Sequence, residues 1–122
     1  RIAGPVLLVS GRDDAMWPSF ELAEIARERL ARHRHPHEVV HLSYPDAGHA
    51  LMHVPYAPMS SSTEMGPHPV DGRRYALGGS VRGNAAAGEA GWREVLAFLV
   101  RARADRAGRP HRPARRPPPA TV

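Results

Sequence analysis

The chain's 122 residues, 42% hydrophobic and 24% charged, suit one small domain with a single core, and the lack of cysteine excludes disulfides, thiolate metal sites and a cysteine nucleophile within it. Its formal charge of +5 divides unevenly: residues 101–122 hold seven Arg and one Asp, a net +6, and residues 1–100 hold ten Arg and eleven acids, a net −1. The near-neutral part lacks the basic surface of a specific nucleic-acid binder, and no apolar run approaches the ~20 residues of a membrane helix.

"GPVLLVSG", residues 4–11, is a short apolar run bounded by glycines, the pattern of a strand buried on both faces of a parallel sheet. A helix is expected next, with Ser19 as N-cap after Pro18. Its apolar face would be Leu22, Ala23, Ile25, Ala26 and Leu30, and its stop would come in "RHRHPH" at Pro36. "EVVHLSY", residues 38–44, reads as a second strand, which completes a parallel βαβ unit. Residues 50 to about 83 read as a long irregular loop with Pro55, Pro58, Pro67 and Pro69. A final amphipathic helix is expected from near Asn84, its N-cap, with Trp92, Val95, Leu96 and Leu99 packed on the same sheet.

Two parallel strands and two helices make an incomplete sheet, because buried parallel strands need neighbours. Residues 1–103 therefore read as the C-terminal portion of a larger α/β domain, and residues 104–122 as a disordered Arg/Pro-rich tail. The tail is expected to be a solvated extension rather than a docking arm for polyanions. "RIAGPVLLVSGRDD" reaches a charged turn too soon for a secretory leader, so a cytoplasmic protein is expected.

In open α/β sheets, chemistry gathers beyond the carboxyl ends of the strands. Asp13 and Asp14 follow the first strand after Gly11, and His49 follows the second in "YPDAGH". If the strands are neighbours, a carboxylate from the first turn can hold one imidazole nitrogen. The other nitrogen is then free to take a proton from a nucleophile, which is the supporting part of a hydrolase triad. Either acid could serve, the other being a turn former, and the competing reading of His49 is a loop residue without a role.

"LLVSGRDDAMWPS", "YPDAGH" and "GGSVRGNAAAGEAGWREVLAFL" together resemble the C-terminal catalytic region of the acyl-CoA thioester hydrolase and bile acid-CoA:amino acid N-acyltransferase family, over roughly residues 4–100. The resemblance implies an α/β-hydrolase fold, an acyl-CoA thioester substrate and no cofactor. It places Asp14 as triad acid and His49 as triad base, with Gly11, Trp17 and Ser19 framing the first turn and Tyr44, Pro45 and Gly48 the second. The family's paired glycines match Gly78 and Gly79, and its helix tryptophan matches Trp92.

After the histidine the sequence departs from the family: "LMHVPYAP" keeps Pro55, Tyr56 and Pro58 but has Val54 where a proline is usual. No G-x-S-x-G nucleophile elbow occurs, so the nucleophile and its oxyanion hole are expected in a missing N-terminal part of the domain, and this chain alone is expected to be inactive. Two other readings stay open, a noncatalytic remnant or interaction module and a general esterase or dienelactone-hydrolase-like enzyme.

His33, His35 and His37 sit beside arginines with no carboxylate to complete a metal shell, and His49 with His53 lacks the Glu of H-E-x-x-H. Trp17, Trp92, Met52, Met59 and Met65 read as packing residues.

Overall fold

The computed structural model describes residues 2–52 and 61–107. Strand β1, Val6–Gly11, runs into helix α1, Ser19–Arg32, and then into strand β2, Val39–Tyr44. A 3-10 turn, His49–Met52, follows β2. A small ladder of β3, Glu64–Met65, with β4, Tyr75–Ala76, precedes the long helix α2, Val81–Ala107. The expected strands pair in parallel in a two-stranded sheet, in register from Val6 with Val39 to Gly11 with Tyr44.

Alternation along the strands separates two faces. On one, Ser10 of β1 donates its hydroxyl to His41 Nε2 at 2.8 Å, and His41 Nδ1–H donates to Glu24 of α1 at 2.7 Å. Phe20 of α1 stacks on the His41 ring at 5.5 Å, and the Arg12 guanidinium lies 4.2 Å over Phe20. This polar lock fixes α1 to the sheet. On the other face, Val9 and Tyr44 pack against the cluster of Ala47, Leu51 and Ala87, which brings α2 onto the sheet. The chain is thus a mixed α/β arrangement with a helix on each face.

Several boundaries differ from the sequence reading, each for a local reason. Helix α1 opens with Pro18 in the cap position and no side-chain cap, and Ser19 instead donates its hydroxyl to the Gly11 carbonyl at 3.0 Å, tying the helix start to the strand end. The helix stops at Arg32, before Pro36. His35 N–H reaches the Leu30 carbonyl and Arg34 N–H the Ala31 carbonyl, with Arg34 at φ 49°, the paired bonds of a Schellman ending.

The cap of α2 is Ser80 and not Asn84: Ser80 Oγ accepts the Gly83 N–H at 2.9 Å and donates to Asp46 at 2.6 Å. The buried face of α2 is Asn84, Ala87, Gly88, Gly91 and Phe98, and Leu96 and Leu99 are half exposed. Small side chains win this face because the helix start lies hard against the turn after β2: a Cβ on Gly83 would sit 1.8 Å from the Asp46 carbonyl oxygen. Helix α2 also runs past residue 104 to Ala107, into the stretch expected as tail.

The stretch expected as one irregular loop contains the 3-10 turn and the β3–β4 ladder. The readings of His53, Val54, Pro55, Tyr56, Pro58 and Met59, of the Met52 side chain and of residues 108–122 lie outside the described residues. Among the described residues no helix is long and apolar enough to cross a membrane, and no group of three or more His, Cys, Asp or Glu is placed to hold a metal ion.

Candidate active site

The parallel register ends β1 at Gly11 beside Tyr44, so the turns that follow the two strands leave the sheet together. The segment Leu77–Gly79 stitches them. The Leu77 carbonyl accepts N–H groups from both turns, His49 at 2.7 Å and Ala15 at 3.4 Å. Isolated bridges pair Asp14 with Gly78 and Ala47 with Gly79. Gly78 has φ 76°, and a Cβ there would meet the Asp13 carbonyl oxygen at 1.9 Å; a Cβ on Gly48 would meet the Gly78 carbonyl at 2.3 Å. Three backbones touch here with no room for side chains.

The two adjacent acids have separate tasks. Asp13 accepts the Gly79 N–H on its carboxylate at 3.0 Å, and its backbone carbonyl accepts the same N–H at 3.0 Å. Asp14 Oδ1 accepts the N–H groups of Met16 at 2.9 Å and Trp17 at 3.2 Å, the turn-forming role of an Asx residue. Its Oδ2 accepts from His49 Nδ1 at 3.2 Å. The Asp14 side chain is 3% exposed and that of His49 is 26% exposed. Burial pushes the Asp14 carboxyl up, but hydrogen bonds from Met16 N–H, His49, the Ser19 side chain and Trp17 N–H outweigh it and hold the group below the usual carboxylate range.

Because a carboxylate only accepts, the contact places the proton on His49 Nδ1 and leaves Nε2 able to accept one. No hydrogen bond to Nε2 occurs among the described residues. Trp17 meets the His49 ring edge-on, with ring centroids 4.3 Å apart, and walls one side of the imidazole. The geometry thus joins Asp14 and His49, which the sequence reading paired, and assigns Asp13 to the clasp. A recess of about 360 Å³ opens beside Asp14, lined by Arg12, Trp17 and Glu21 among others. Hollows of about 700 and 780 Å³ lie at the opposite end of the sheet, against Pro36 and His37, away from this chemistry.

The sequence points to Gly78 and Gly79 by resemblance and to Asn84 as a helix N-cap, but not to the stitch that Leu77–Gly79 makes between the two turns or to the buried bridging role of Asn84. The local signal is two consecutive glycines followed by a capping serine and an Asn at the fourth position of a helix, where Asn has poor intrinsic helix propensity.

Residues 1–105 match the model of the family described as BAAT / Acyl-CoA thioester hydrolase C terminal. Among curated relatives, the chain is 37% identical over 96 residues to the mouse acyl-coenzyme A amino acid N-acyltransferase 1, and 35% identical over 96 residues to the mouse peroxisomal succinyl-coenzyme A thioesterase; each match covers 79% of this chain and 22% of the relative. With the human acyl-coenzyme A thioesterase 6 it is 32% identical over 95 residues, 78% of this chain and 21% of the relative. The chain spans about a fifth of the length of these relatives. With its two post-strand turns, glycine stitch and most of its final helix inside the matched stretch, it belongs to the BAAT / acyl-CoA thioester hydrolase C-terminal family.

Proposed function

We propose that this chain supplies the acid and base of an acyl-CoA thioester hydrolase or acyltransferase site on an α/β-hydrolase fold, with the nucleophile contributed by a part of the protein outside this chain. The observation that carries the reading is the contact between Asp14 Oδ2 and His49 Nδ1 at 3.2 Å, with no hydrogen bond to Nε2 among the described residues. In this scheme His49 Nε2 takes the proton of the attacking hydroxyl or thiol as it adds to the thioester carbonyl. The acyl group passes to the nucleophile, and His49 returns the proton to the leaving coenzyme A thiolate. His49 then takes a proton from water, for hydrolysis, or from an amine, for transfer, as either attacks the acyl intermediate, and returns it to the nucleophile's oxygen or sulfur as its bond to the acyl group breaks and the acid or amide leaves. Asp14 keeps the ring in one tautomer and stabilises the imidazolium formed in each half-reaction. The family relatives named as thioesterases and as an N-acyltransferase support the substrate class and leave both acceptors open.

The test is the longer protein that contains this sequence. Asp14→Asn is expected to lower acyl-CoA turnover by about 10³- to 10⁴-fold, and His49→Ala at least as much. Activity within tenfold of the parent for either variant would end the reading. The chain alone is expected to turn over no acyl-CoA above a His49→Ala control.

A further inference from the structure

An Asn inside a helix, fully buried, requires an explanation. Asn84 has 0% exposure and lies one residue beyond the first turn that Ser80 caps. Its Oδ1 accepts the Gly48 N–H at 2.7 Å, and its Nδ2 donates to the Gly78 carbonyl and the Ser62 carbonyl, each at 3.1 Å. Gly48 N–H can only donate and the two carbonyls can only accept, so the amide orientation is fixed by its partners. Gly48 immediately precedes His49, and the Gly78 carbonyl belongs to the stitch whose neighbour Leu77 accepts the His49 N–H.

We infer that Asn84 is a positioning residue for the proposed base: from helix α2 it locks the Gly48 peptide against Gly78, and so holds the His49 ring in line with Asp14.

The chemistry of the site selects this side chain. It presents one acceptor and two donors to three backbone groups. Leu would orphan all three, and Asp would keep the acceptor but lose both donors. Neutral His offers one donor and one acceptor. The bridge also requires glycine opposite it, since a Cβ on Gly79 would stand 2.4 Å from the Asn84 Oδ1 atom. The Asp14–His49 contact depends on the two turns keeping one separation, and the amide bridges the His49 turn to the stitch that also carries the Ala15 N–H. A loss of the amide releases the His49 turn while leaving Ser10, His41 and Glu24, on the opposite face of the sheet, untouched.

The inference rests on reading His49 as the base, and its test separates the two. The experiment records the imidazole nitrogen resonances of the complete 122-residue chain by NMR. In the parent, His49 is expected as one tautomer, Nδ1 protonated. Asn84→Ala is expected to move His49 toward the averaged tautomers of a free imidazole, with the His41 resonances unchanged as the internal control. Asn84→Asp, which retains the acceptor facing Gly48, is expected to hold His49 nearer the parent than Asn84→Ala does.

A folded Asn84→Ala chain with parental His49 resonances would overturn the inference, as would the reverse order of the two variants. Collapse of both the His41 and His49 signals in both variants would also overturn it, by making Asn84 a folding determinant alone. Asp14→Asn in the parent background is the separate check: if it leaves the His49 tautomer unchanged, the acid–base reading fails whatever Asn84 does.

Discussion

The carboxyl ends of the two strands and the outer surfaces of the two helices follow different rules in this molecule. At the strand ends, Gly11, Ala47, Gly48, Leu77, Asn84 and Ala87 are buried, and backbone groups from three segments satisfy one another. On the helix surfaces, Leu22 and Ile25 of α1 and Leu96, Leu99 and Val100 of α2 are at least half exposed. The site region is determined within this stretch of chain by contacts a few ångströms long. The outer surfaces are apolar without being covered by any described residue, so their side chains contribute little to the stability of this chain.

The largest break in that contrast is expected from Gly78→Ala or Gly48→Ala. At each position a Cβ would overlap backbone atoms, at 1.9 Å and 2.3 Å respectively, and Gly78 also has a positive φ. Each is expected to cost about 3 kcal/mol or more in urea unfolding, against less than about 0.5 kcal/mol for Gly4→Ala, where a Cβ meets nothing within 4 Å. Equal costs at Gly78 and Gly4 would dissolve the contrast.

Ser10→Ala should come next, at about 1–2 kcal/mol, because it leaves His41 Nε2 without its donor in a side chain that is 6% exposed. Leu96→Ser with Leu99→Ser should come last, within about 0.5 kcal/mol each, read by the same urea titration.

A pH scan sharpens the comparison on the α1 face. Arg27 and His41 hold the Glu24 carboxyl down from 4.5 to about 2. Between those values the unfolded chain binds more protons at this position than the folded one, so stability rises with pH. The contribution is fully present above pH 4.5 and is lost as the pH falls toward 2. Glu24→Gln is expected to flatten that limb of a stability profile measured by denaturant midpoint; an unchanged limb would show that Glu24 is not its source.

The strands, the place of the first helix and the proximity of Asp14 to His49 are legible in the sequence from apolar runs, glycine boundaries, and an acid and a histidine each just after a strand, but the expected face of α1 fails at Leu22 and Ile25, which are exposed. Choosing Asp14 over Asp13 needed more, since both suit a turn; the choice came from family resemblance, and the distances now give its physical basis. The expected face of α2 holds in part, with Trp92 and Val95 partly buried, and fails at Leu96 and Leu99, which are at least half exposed. The helix start approaches the turn after β2 closely, with Ala87 packed against Ala47 and Leu51, and Gly88 and Gly91 are also buried. Asn84 reads locally as a common helix-start residue, whereas two of its three partners lie 36 and 22 positions away, which no local pattern records.

The Ser10–His41–Glu24 lock has a consequence for recognising enzymes by shape. Ser10 donates to a histidine at 2.8 Å, and that histidine donates to a carboxylate at 2.7 Å, closer spacing than between His49 and Asp14 at 3.2 Å. A template matching only a serine, an imidazole and an acid by distance would select His41, whose serine is shut away from any substrate, in this chain. Ser10 is 1% exposed beneath a helix, so no ester or thioester can approach its oxygen. Solvent access to the reacting atom belongs in such a template on the same footing as distance.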